Sequence, residues 1–265
     1  MKCPSDVIRF CLLLGCVLSG CRAAVHTPEA RPLLLGVSPS METLARGLID
    51  AYHATYPLET PFQTTAASAD EIQTALDQNQ VSAALQWDTP GSKDWAAAVG
   101  WTGIVIAVNV QNEVSNFTPD QARNIFLGLT DRWESVGGAP GDIHRLTYEP
   151  DQDIGNLFQD VVLHQEEMAG TSLVVPAPYA MIGELQKDKY SIGYLPGFEL
   201  SRAVRPVTID HVTADYPNLI SSKYPFRVPV FLISRNPVPP EVSRFAGWAQ
   251  SASGQVVFLT LQSWE

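Results

Sequence analysis

Residues 115–138 read SNFTPDQARNIFLGLTDRWESVGG, a segment with clear helix start and stop signals followed by a glycine-rich turn. Thr118 is a typical N-cap residue, a proline occupies the first helical position, and Gln121 stands three residues after the cap. The pattern predicts a capped helix that stops at Gly128. Capping rules give no reason, however, for Trp133 or for the double glycine that ends the segment.

Short apolar runs alternate with segments of helical period on both sides of this segment. The runs 103–110 (GIVIAVNV) and 227–234 (RVPVFLIS) are rich in β-branched residues and predict strands. Residues 41–56 predict a helix, and the capping-box pattern of Ser68 and Glu71 starts another. This alternation indicates α/β layers with mostly parallel sheets. Further strands are predicted at 33–37, 81–85, 143–147, 173–175 and 192–195, and further helices at 68–78, 154–165 and around 181–185.

The composition is that of a globular, acidic protein. Apolar residues make up 45% and charged residues 17% of the 265 residues, and 28 acidic side chains outnumber 17 basic ones, for a net charge of −11. Nucleic-acid binders derive their affinity from lysine and arginine on phosphates, so this balance argues against a nucleic-acid partner. It also argues against a polybasic membrane patch. The length suits one large domain or two smaller lobes.

The first twenty residues are typical of an export signal. Lys2 and Arg9 flank the start of the chain, and an apolar run at 10–18 is too short to span a bilayer as a permanent helix. The sequence Leu18-Ser19-Gly20-Cys21 resembles the bacterial lipobox, in which the cysteine is acylated and becomes the mature N-terminus. An ordinary secretory peptide or a buried N-terminal helix is the alternative.

The positions of the cysteines agree with removal of this segment. All four lie within it, so a chain cleaved before Cys21 keeps only the lipidated cysteine and has no disulfide, cysteine metal site or thiol nucleophile. We therefore expect a lipoprotein signal peptide at 1–20 and a polar, proline-containing tether at 21–32. Acyl chains such as palmitate would hold the exported protein on the periplasmic or extracellular face of a bacterial membrane.

The segment 115–138 looks like the second-lobe signature of phosphate-type substrate-binding proteins of ABC transporters. In that family a Leu-Thr-x-x-Gln helix leads into Ile-Phe-x-Gly, then into Trp and Val-Gly-Gly. The resemblance covers nearly all of the mature chain, although Arg227 is followed by valine where the family has proline. The other similar segments are the first loop and helix at 36–57, the Ile-Gly-Tyr strand at 191–194, the return strand after Tyr224-Pro225, and the closing helix at 248–255.

This resemblance implies a type II periplasmic-binding-protein fold. In that α/β fold, two lobes are joined by two crossover strands and close by a hinge on a ligand in a central cleft. Residues 103–110 would form the first crossover and 227–234 the second. We expect lobe I to comprise 33–105 and 225–265, and lobe II to comprise 106–224.

A receptor for a tetrahedral oxyanion uses backbone N–H groups at helix N-termini, hydroxyl donors and often one arginine. Ser38 and Ser40 precede the helix that begins at Met41, so their hydroxyls and the following amides are expected to point to one spot. Alternatively, Ser40 only caps the helix. Ser68 stands where the family has a ligand-binding serine in a glycine-rich segment, but its neighbours here are alanines, which restrict close backbone approach.

The third and fourth loops depart from the family pattern. Trp87 takes the place of a ligand-contacting residue, where it either lines a cleft for a larger, flatter ligand or is simply packed, and Asp88 is the candidate substitute one position later. In the fourth loop the family reads Arg-x-x-x-Ser-Gly-Thr. Here Tyr148 stands for the arginine, and Gln152-Asp153-Ile154 stands for the last three residues.

The fourth loop therefore loses a bidentate cation and gains carboxylates at a helix N-terminus. Asp151 or Asp153 is placed to cap that helix itself and so to occupy the anion site. Arg145 lies three residues before Tyr148 on a strand, so we expect it to face the opposite side. Each lost charged hydrogen bond costs about 1.5–3 kcal/mol, which makes tight phosphate binding doubtful. The predicted ligand-binding residues are Ser38, Ser40, Met41, Ser68, Trp87, Asp88, Tyr148, Gln152, Asp153 and Ile154.

Two functions are compatible with these observations. The first is a lipid-anchored receptor for a small oxyanion or another small polar ligand, with a degenerate anion site, that delivers its ligand to an ABC permease. The second is a sensing or protein-interaction module on the same scaffold, with a different ligand or none. Catalysis is not expected, because the five histidines are scattered and no metalloprotease, nucleophile-elbow or P-loop motif exists. No cofactor or metal is expected either.

Overall fold

The computed structural model describes residues 31–87, 94–150 and 152–263. Arg31–Glu265 forms one compact unit. The predicted signal peptide at 1–20, the lipidation site Cys21 and all but the last two residues of the tether lie outside the described residues, as do Asp88 and Asp151. Within the described residues, no helix combines the length and apolarity that a membrane crossing requires.

Strands and helices alternate along most of the described chain, as the sequence pattern predicts. The strands are β1 (Leu33–Val37), β2 (Phe62–Ala66), β3 (Ala83–Gln86), β4 (Asp94–Asn109), β5 (Asn116–Phe117), β6 (His144–Tyr148), β7 (Leu173–Val175), β8 (Ser191–Pro196), β9 (Val204–Pro206), β10 (Thr208–Ile209) and β11 (Arg227–Arg235). The α-helices are α1 (Glu42–Thr55), α2 (Ala69–Asp77), α3 (Pro119–Phe126), α4 (Asp153–Val161), α5 (Pro178–Lys187), α6 (Tyr216–Ile220), α7 (Pro240–Ala249) and α8 (Ala252–Leu261). Short 3-10 turns cover Pro39–Met41, Trp133–Val136 and Gly197–Glu199.

One sheet runs through both lobes, in the order β2-β1-β3-β11-β4-β8-β6-β7, with β9 also paired to β4. The pairs β1–β2, β1–β3, β6–β7 and β6–β8 are parallel, whereas β11 and β4 run antiparallel to their neighbours. The α/β architecture with two lobes and crossover connections is therefore confirmed.

Strand β4 belongs to both lobes. Its first part, from Asp94 to Gly103, pairs with β11, and its second part, from Ile104 to Asn109, pairs with β8 and β9. The strand starts well before the predicted run at 103–110 because its first part is rich in alanine, which has no β preference of its own. Tertiary pairing with β11 determines its conformation.

The return to the first lobe takes place just before β11. Ile104 donates its backbone N–H to the carbonyl of Phe226 over 2.9 Å, and Arg227 then pairs with Gly103. Within the described residues, β11 pairs only with β3 and with the first part of β4, so the stretch predicted as the second crossover, 227–234, lies in the first lobe, and the crossing itself falls just before it. The switch between the two lobes is confined to the residues around Gly103 and Phe226.

Several elements differ from the prediction at their ends or were not predicted. The helix expected at 154–165 ends at Val161, and both His164 and Gln165 have positive φ angles, which stop a right-handed helix. The helix expected from residue 41 begins one residue later, after the 3-10 turn at Pro39–Met41. The closing helix expected at 248–255 is two helices, α7 and α8, with a break at 250–251. The elements that were not predicted are β2, β5, β9, β10 and α6.

The signature segment at 115–138 packs as part of the second lobe's core. Its capping box forms as predicted. Trp133 is buried, stacks near Phe117 and donates its indole N–H to the carbonyl of Tyr190 over 2.9 Å. Gly137 has a φ of 84°, and a Cβ on Gly138 would lie within 3.2 Å of Trp133. The tryptophan and the double glycine are thus explained by packing and by a left-handed turn.

The closing helix α8 fastens the C-terminus to β4. Gln255 donates from its side-chain amide to the carbonyl of Val99 over 2.8 Å. A Cβ on Gly254 would come within 2.4 Å of a backbone carbonyl oxygen, so only glycine fits there without a shift. Phe258 is fully buried, and its ring lies directly over Gly100.

The contact between α8 and β4 yields the first prediction. A Cβ at Gly100 would lie 2.3–2.6 Å from ring atoms of Phe258. Gly100→Ala should therefore lower the free energy of unfolding by about 1–3 kcal/mol, the usual cost of overpacking a core. Gly247→Ala is the matched control, because nothing lies within 4 Å of the position its methyl group would take and alanine is the better helix former, by about 0.5–1 kcal/mol. Urea unfolding measures both; equal effects of the two substitutions would contradict this packing.

Candidate functional site

A cavity of about 240 Å³ lies where loops of the two lobes meet. The loops after β1 and β2 and the N-terminus of α4 converge there, because ligand sites in α/β folds form at the carboxyl ends of parallel strands. A larger hollow of about 530 Å³ lies along α2, but residues of the first lobe alone line it. The residues that line the smaller cavity are Ser38, Pro39, Ala66, Ala67, Ser68, Ala69, Glu71, Gln152 and Asp153.

The two serines of the first loop form a hydrogen-bonded chain. The hydroxyls of Ser38 and Ser40 lie 2.9 Å apart, and both residues are buried. Ser40 donates its hydroxyl proton to Oδ1 of Asp153 over 2.7 Å and accepts a bond from the indole N–H of Trp87 over 3.2 Å. Neither serine caps a helix with its side chain. The capping alternative for Ser40 is therefore wrong, and its buried hydroxyl bonds Asp153, which lines the cavity.

Asp153 brings a carboxylate to the spot where the donors converge. Its Oδ1 accepts the Ser40 hydroxyl and also the backbone N–H of Ile154, over 2.8 Å, at the first turn of α4. The preceding residue, Gln152, makes no capping bond with its side chain. A helix N-terminus favours a negative charge, so the position suits an anion, and the chain supplies one itself.

The second helix N-terminus in the cavity is also satisfied by a carboxylate of the chain. Ser68 donates from its backbone N–H and from its hydroxyl to Oε2 of Glu71, over 3.0 and 2.9 Å, and accepts the backbone N–H of Glu71. These bonds to Ser68 hold the pKa of the Glu71 carboxyl below its usual range. The predicted capping box is confirmed, and the Ser68 hydroxyl faces its own helix partner.

Trp87 is packed between the lobes. It is buried, and its ring stacks on that of Phe198 at a centroid distance of 5.8 Å and an interplanar angle of 6°. Of the two interpretations of Trp87, packing is the one that the geometry supports. Phe198 was not predicted as part of this region, since the sequence around it indicated only the end of a strand.

Three predicted site residues contribute no side chain to the cavity. Met41 and Ile154 are fully buried in the core, and the Met41 N–H already bonds the carbonyl of Ser38 over 3.0 Å. Tyr148 is buried, and its hydroxyl donates to the carbonyl of Tyr194 over 3.1 Å. Their side chains serve packing, because all three are buried and none of them lines the cavity.

Carboxylates dominate the electrostatics of the cleft. Burial raises the pKa of Tyr148 well above its usual value, with smaller contributions from Tyr194 and from the charges of Glu199 and Asp153. Burial also raises the pKa of the Glu199 carboxyl, against the effect of a hydrogen bond from Thr43. The described residues that line the cavity include no lysine or arginine.

Arg145 does not supply the missing cation. Its guanidinium is buried and donates to the carbonyls of Ile125 and Thr130 and to the carboxylate of Asp131. These partners lie on the opposite side of β6 from the cavity, as the strand periodicity predicts. In the described part of the chain, no group of three or more metal-ligating side chains forms either.

The structure thus brings together Ser38, Ser40, Ser68, Gln152 and Asp153, as expected from the sequence. Sequence reasoning identified Glu71 as a capping partner but missed it as a lining residue, and it missed Glu199. A capping box in a cleft loop is itself a signal, because its acid must lie beside the helix N-terminus. Chemically, this cleft offers hydroxyls and amides whose bonds are already directed at carboxylates of the same chain.

The half-buried carboxyl of Glu199 yields a pH-dependent prediction. Because its pKa is raised in the folded state, ionisation of Glu199 opposes folding above that pKa. Glu199→Gln should therefore raise the melting temperature at pH 7. The gain should shrink as the pH falls below the usual range of a glutamate, where both states are protonated. Glu113→Gln, on an exposed residue, is the control; a Glu199→Gln effect that is independent of pH would contradict the assignment.

Comparison with solved structures finds the same fold in several bacterial proteins. An ABC-type phosphate transport receptor from Vibrio cholerae matches with a TM-score of 0.71 at 18% identity, covering 88% of this chain and 99% of the other. A Clostridium perfringens structure, described as a phosphate ABC transporter substrate-binding protein with bound phosphate, matches with a TM-score of 0.79 at 16% identity, covering 88% and 98%. The reduced OxyR regulatory domain from Pseudomonas aeruginosa matches with a TM-score of 0.57 at 12% identity, covering 83% and 97%.

None of the curated proteins compared with the chain matches it significantly. The family model of the PBP superfamily domain, in contrast, matches residues 23–253, which is most of the chain. The chain therefore belongs to the PBP superfamily, as a two-lobed binding protein.

Proposed function

We propose that the protein is a lipid-anchored, extracytoplasmic solute-binding protein of the phosphate or oxyanion receptor type, whose anion site is degenerate and which works with an ABC permease. The observation that carries the proposal is the cavity in which Ser38, Ser68, Gln152 and Asp153 of both lobes meet. Its volume of about 240 Å³ suits a small polar solute. The Clostridium perfringens relative of the same fold has phosphate bound.

The degenerate character follows from what the cleft offers to an anion. The described lining residues provide hydroxyls and helix N-termini but no cation. The hydroxyl of Ser40 already donates to the carboxylate of Asp153, and that of Ser68 donates to the carboxylate of Glu71. A phosphate would therefore gain few charge-assisted bonds, each worth about 1.5–3 kcal/mol, and would face two carboxylates.

A sensing or interaction module on the same scaffold is the second candidate. The donors in the cleft favour this candidate, because they already bond carboxylates of the same chain. A cleft whose polar groups need no ligand can serve sensing or protein interaction instead of solute binding. Regulatory domains share the fold: the QuiR effector-binding domain, solved with shikimate, matches with a TM-score of 0.57 at 12% identity. The permease would be absent in that case.

The location and the domain limits form part of the proposal. We place the signal peptide at 1–20, the acylated residue at Cys21 and the tether at 21–32. Lobe I would comprise 33–105 and 225–265, and lobe II 106–224. The pairing of Arg227 with Gly103 supports a boundary close to these limits.

Solute titration tests the binding role. The soluble mature chain, with Cys21→Ser, is titrated calorimetrically with inorganic phosphate, sulfate and a series of small neutral and cationic polar solutes. We expect a dissociation constant for phosphate above about 1 mM, equivalent to less than about 4.1 kcal/mol of binding free energy. Micromolar binding of another polar solute supports the receptor role. Lack of binding across the series favours the interaction module instead.

Membrane anchoring is tested separately. Cys21→Ser in the full-length chain, expressed in a bacterium that processes lipoproteins, should move the protein from the membrane fraction to the soluble exported fraction. Cys16→Ser is the control, because that cysteine would be lost with the signal peptide. A Cys21→Ser protein that stays in the membrane fraction would contradict the lipid anchor.

A further inference from the structure

We propose that the carboxylate of Asp153 is a tethered occupant of the oxyanion position in the cleft, and that it determines ligand specificity by excluding free oxyanions. This inference rests on the proposed function, since it takes the cavity between the lobes as the ligand site. Asp153 would then be the single side chain that distinguishes this cleft from one that accepts an oxyanion.

The hydrogen bonds around Ser40 direct its proton to one place. Its oxygen accepts the indole N–H of Trp87 over 3.2 Å and lies 2.9 Å from the hydroxyl of Ser38. A hydroxyl has a single proton, and that of Ser40 goes to Oδ1 of Asp153 over 2.7 Å. Ser38 is therefore the donor to Ser40. Three groups thus cooperate to aim one strong donor at a carboxylate oxygen.

Oδ1 of Asp153 also accepts a hydrogen bond from a backbone amide in the first turn of α4. The N–H of Ile154 lies 2.8 Å from Oδ1 of Asp153. One serine hydroxyl and one helix N-terminal amide converging on a single oxygen is the donor set that would hold an oxygen of a phosphate or sulfate. Because Asp153 already fills it, an oxyanion can reach these donors only by displacing the side chain.

Asp153 differs from the ordinary helix-capping acids of this chain. Asp215 caps α6 by accepting the N–H of Asn218, and Glu71 bonds Ser68, so both act within their own helix turn. Asp153 instead bonds a serine 113 residues earlier in the sequence, on the other lobe. A local stabilising role alone does not require that contact.

Magnitudes support exclusion of free anions. A tethered group competes at an effective concentration of about millimolar even on a flexible linker, and Asp153 is held on a helix. A displaced carboxylate would also remain close to the incoming anion, as would Glu71 in the same cavity. To displace the Asp153 carboxylate, a free oxyanion therefore needs a concentration above about 1 mM. It also has to overcome repulsion by the two carboxylates.

The test frees the donors and measures oxyanion binding. In the mature chain, Asp153→Ala leaves the hydroxyl of Ser40 and the N–H of Ile154 available. We expect inorganic phosphate and sulfate to bind this variant at least about tenfold more tightly than the unmodified protein, the value of one charge-assisted bond. Acetate, which replaces the lost carboxylate, should raise the melting temperature of Asp153→Ala but not that of the unmodified protein.

Three variants separate occupancy from charge. Glu71→Gln removes one negative charge from the same cavity but leaves Asp153 in place, so it should gain much less phosphate affinity than Asp153→Ala. Asp153→Asn removes the charge but keeps an oxygen in the position, so it should resemble Glu71→Gln. Ser40→Ala combined with Asp153→Ala should lose the gain.

The outcomes divide clearly between this inference and the proposed function. If Asp153→Ala gains phosphate while the unmodified protein binds no solute, the inference stands and the receptor role fails. If the unmodified protein binds phosphate at micromolar concentration, the inference fails and the receptor role stands. Equal gains for Asp153→Ala and Glu71→Gln would overturn the inference too, because charge alone would explain them. Asp153→Ser provides the same measurement should the alanine variant not fold.

Discussion

The structure depends on one strand that the two lobes share. β4 pairs with β11 up to Gly103 and with β8 and β9 from Ile104 onward, and its second part is buried throughout. Each lobe therefore contains one part of β4, which continues from the first lobe into the second. The parallel strands of both lobes end at a common space. The loops that follow these strands therefore line a cleft between the lobes.

Within that cleft, polar groups of the chain satisfy one another. Both helix N-termini that reach the cavity meet a carboxylate, Glu71 for α2 and Asp153 for α4. The buried serine pair is oriented by Trp87, whose ring is fixed against Phe198 from the other lobe. Buried polar groups need partners, and this arrangement provides them without a ligand. The lobes are joined here by specific hydrogen bonds in addition to the shared strand.

The sequence predicted the architecture better than the chemistry of the site. The capping box of α3, the strand conformation of β11 and the position of Arg145 were predictable because each follows from local periodicity or capping. The first part of β4 and the edge strand β2 were not, since the first is rich in alanine, which has no β preference, and the second is a short polar run whose strand conformation depends on pairing with β1. At the site, the convergence of Ser38, Ser68 and Gln152 followed from the family resemblance.

What the sequence could not decide was the direction of individual side chains in the cleft. Ser40 could equally have capped its helix, and Trp87 could have faced a ligand. Both questions are settled by contacts between distant segments, the bond from Ser40 to Asp153 and the stack of Trp87 on Phe198. Neither leaves a local pattern in the chain, because the partners lie on different lobes.

Several residues that carry the family resemblance serve packing. Trp133 bonds a backbone carbonyl in the second lobe's core, Gln255 fastens α8 to β4, and Gly254 permits a close approach of two backbones. A change in any of them would disturb packing, whereas Asp153, in its proposed role, determines which ligands the cleft accepts. Packing residues are therefore constrained by the fold itself, whereas cleft residues are not, so chains at 16–18% identity can share this fold and differ in their clefts.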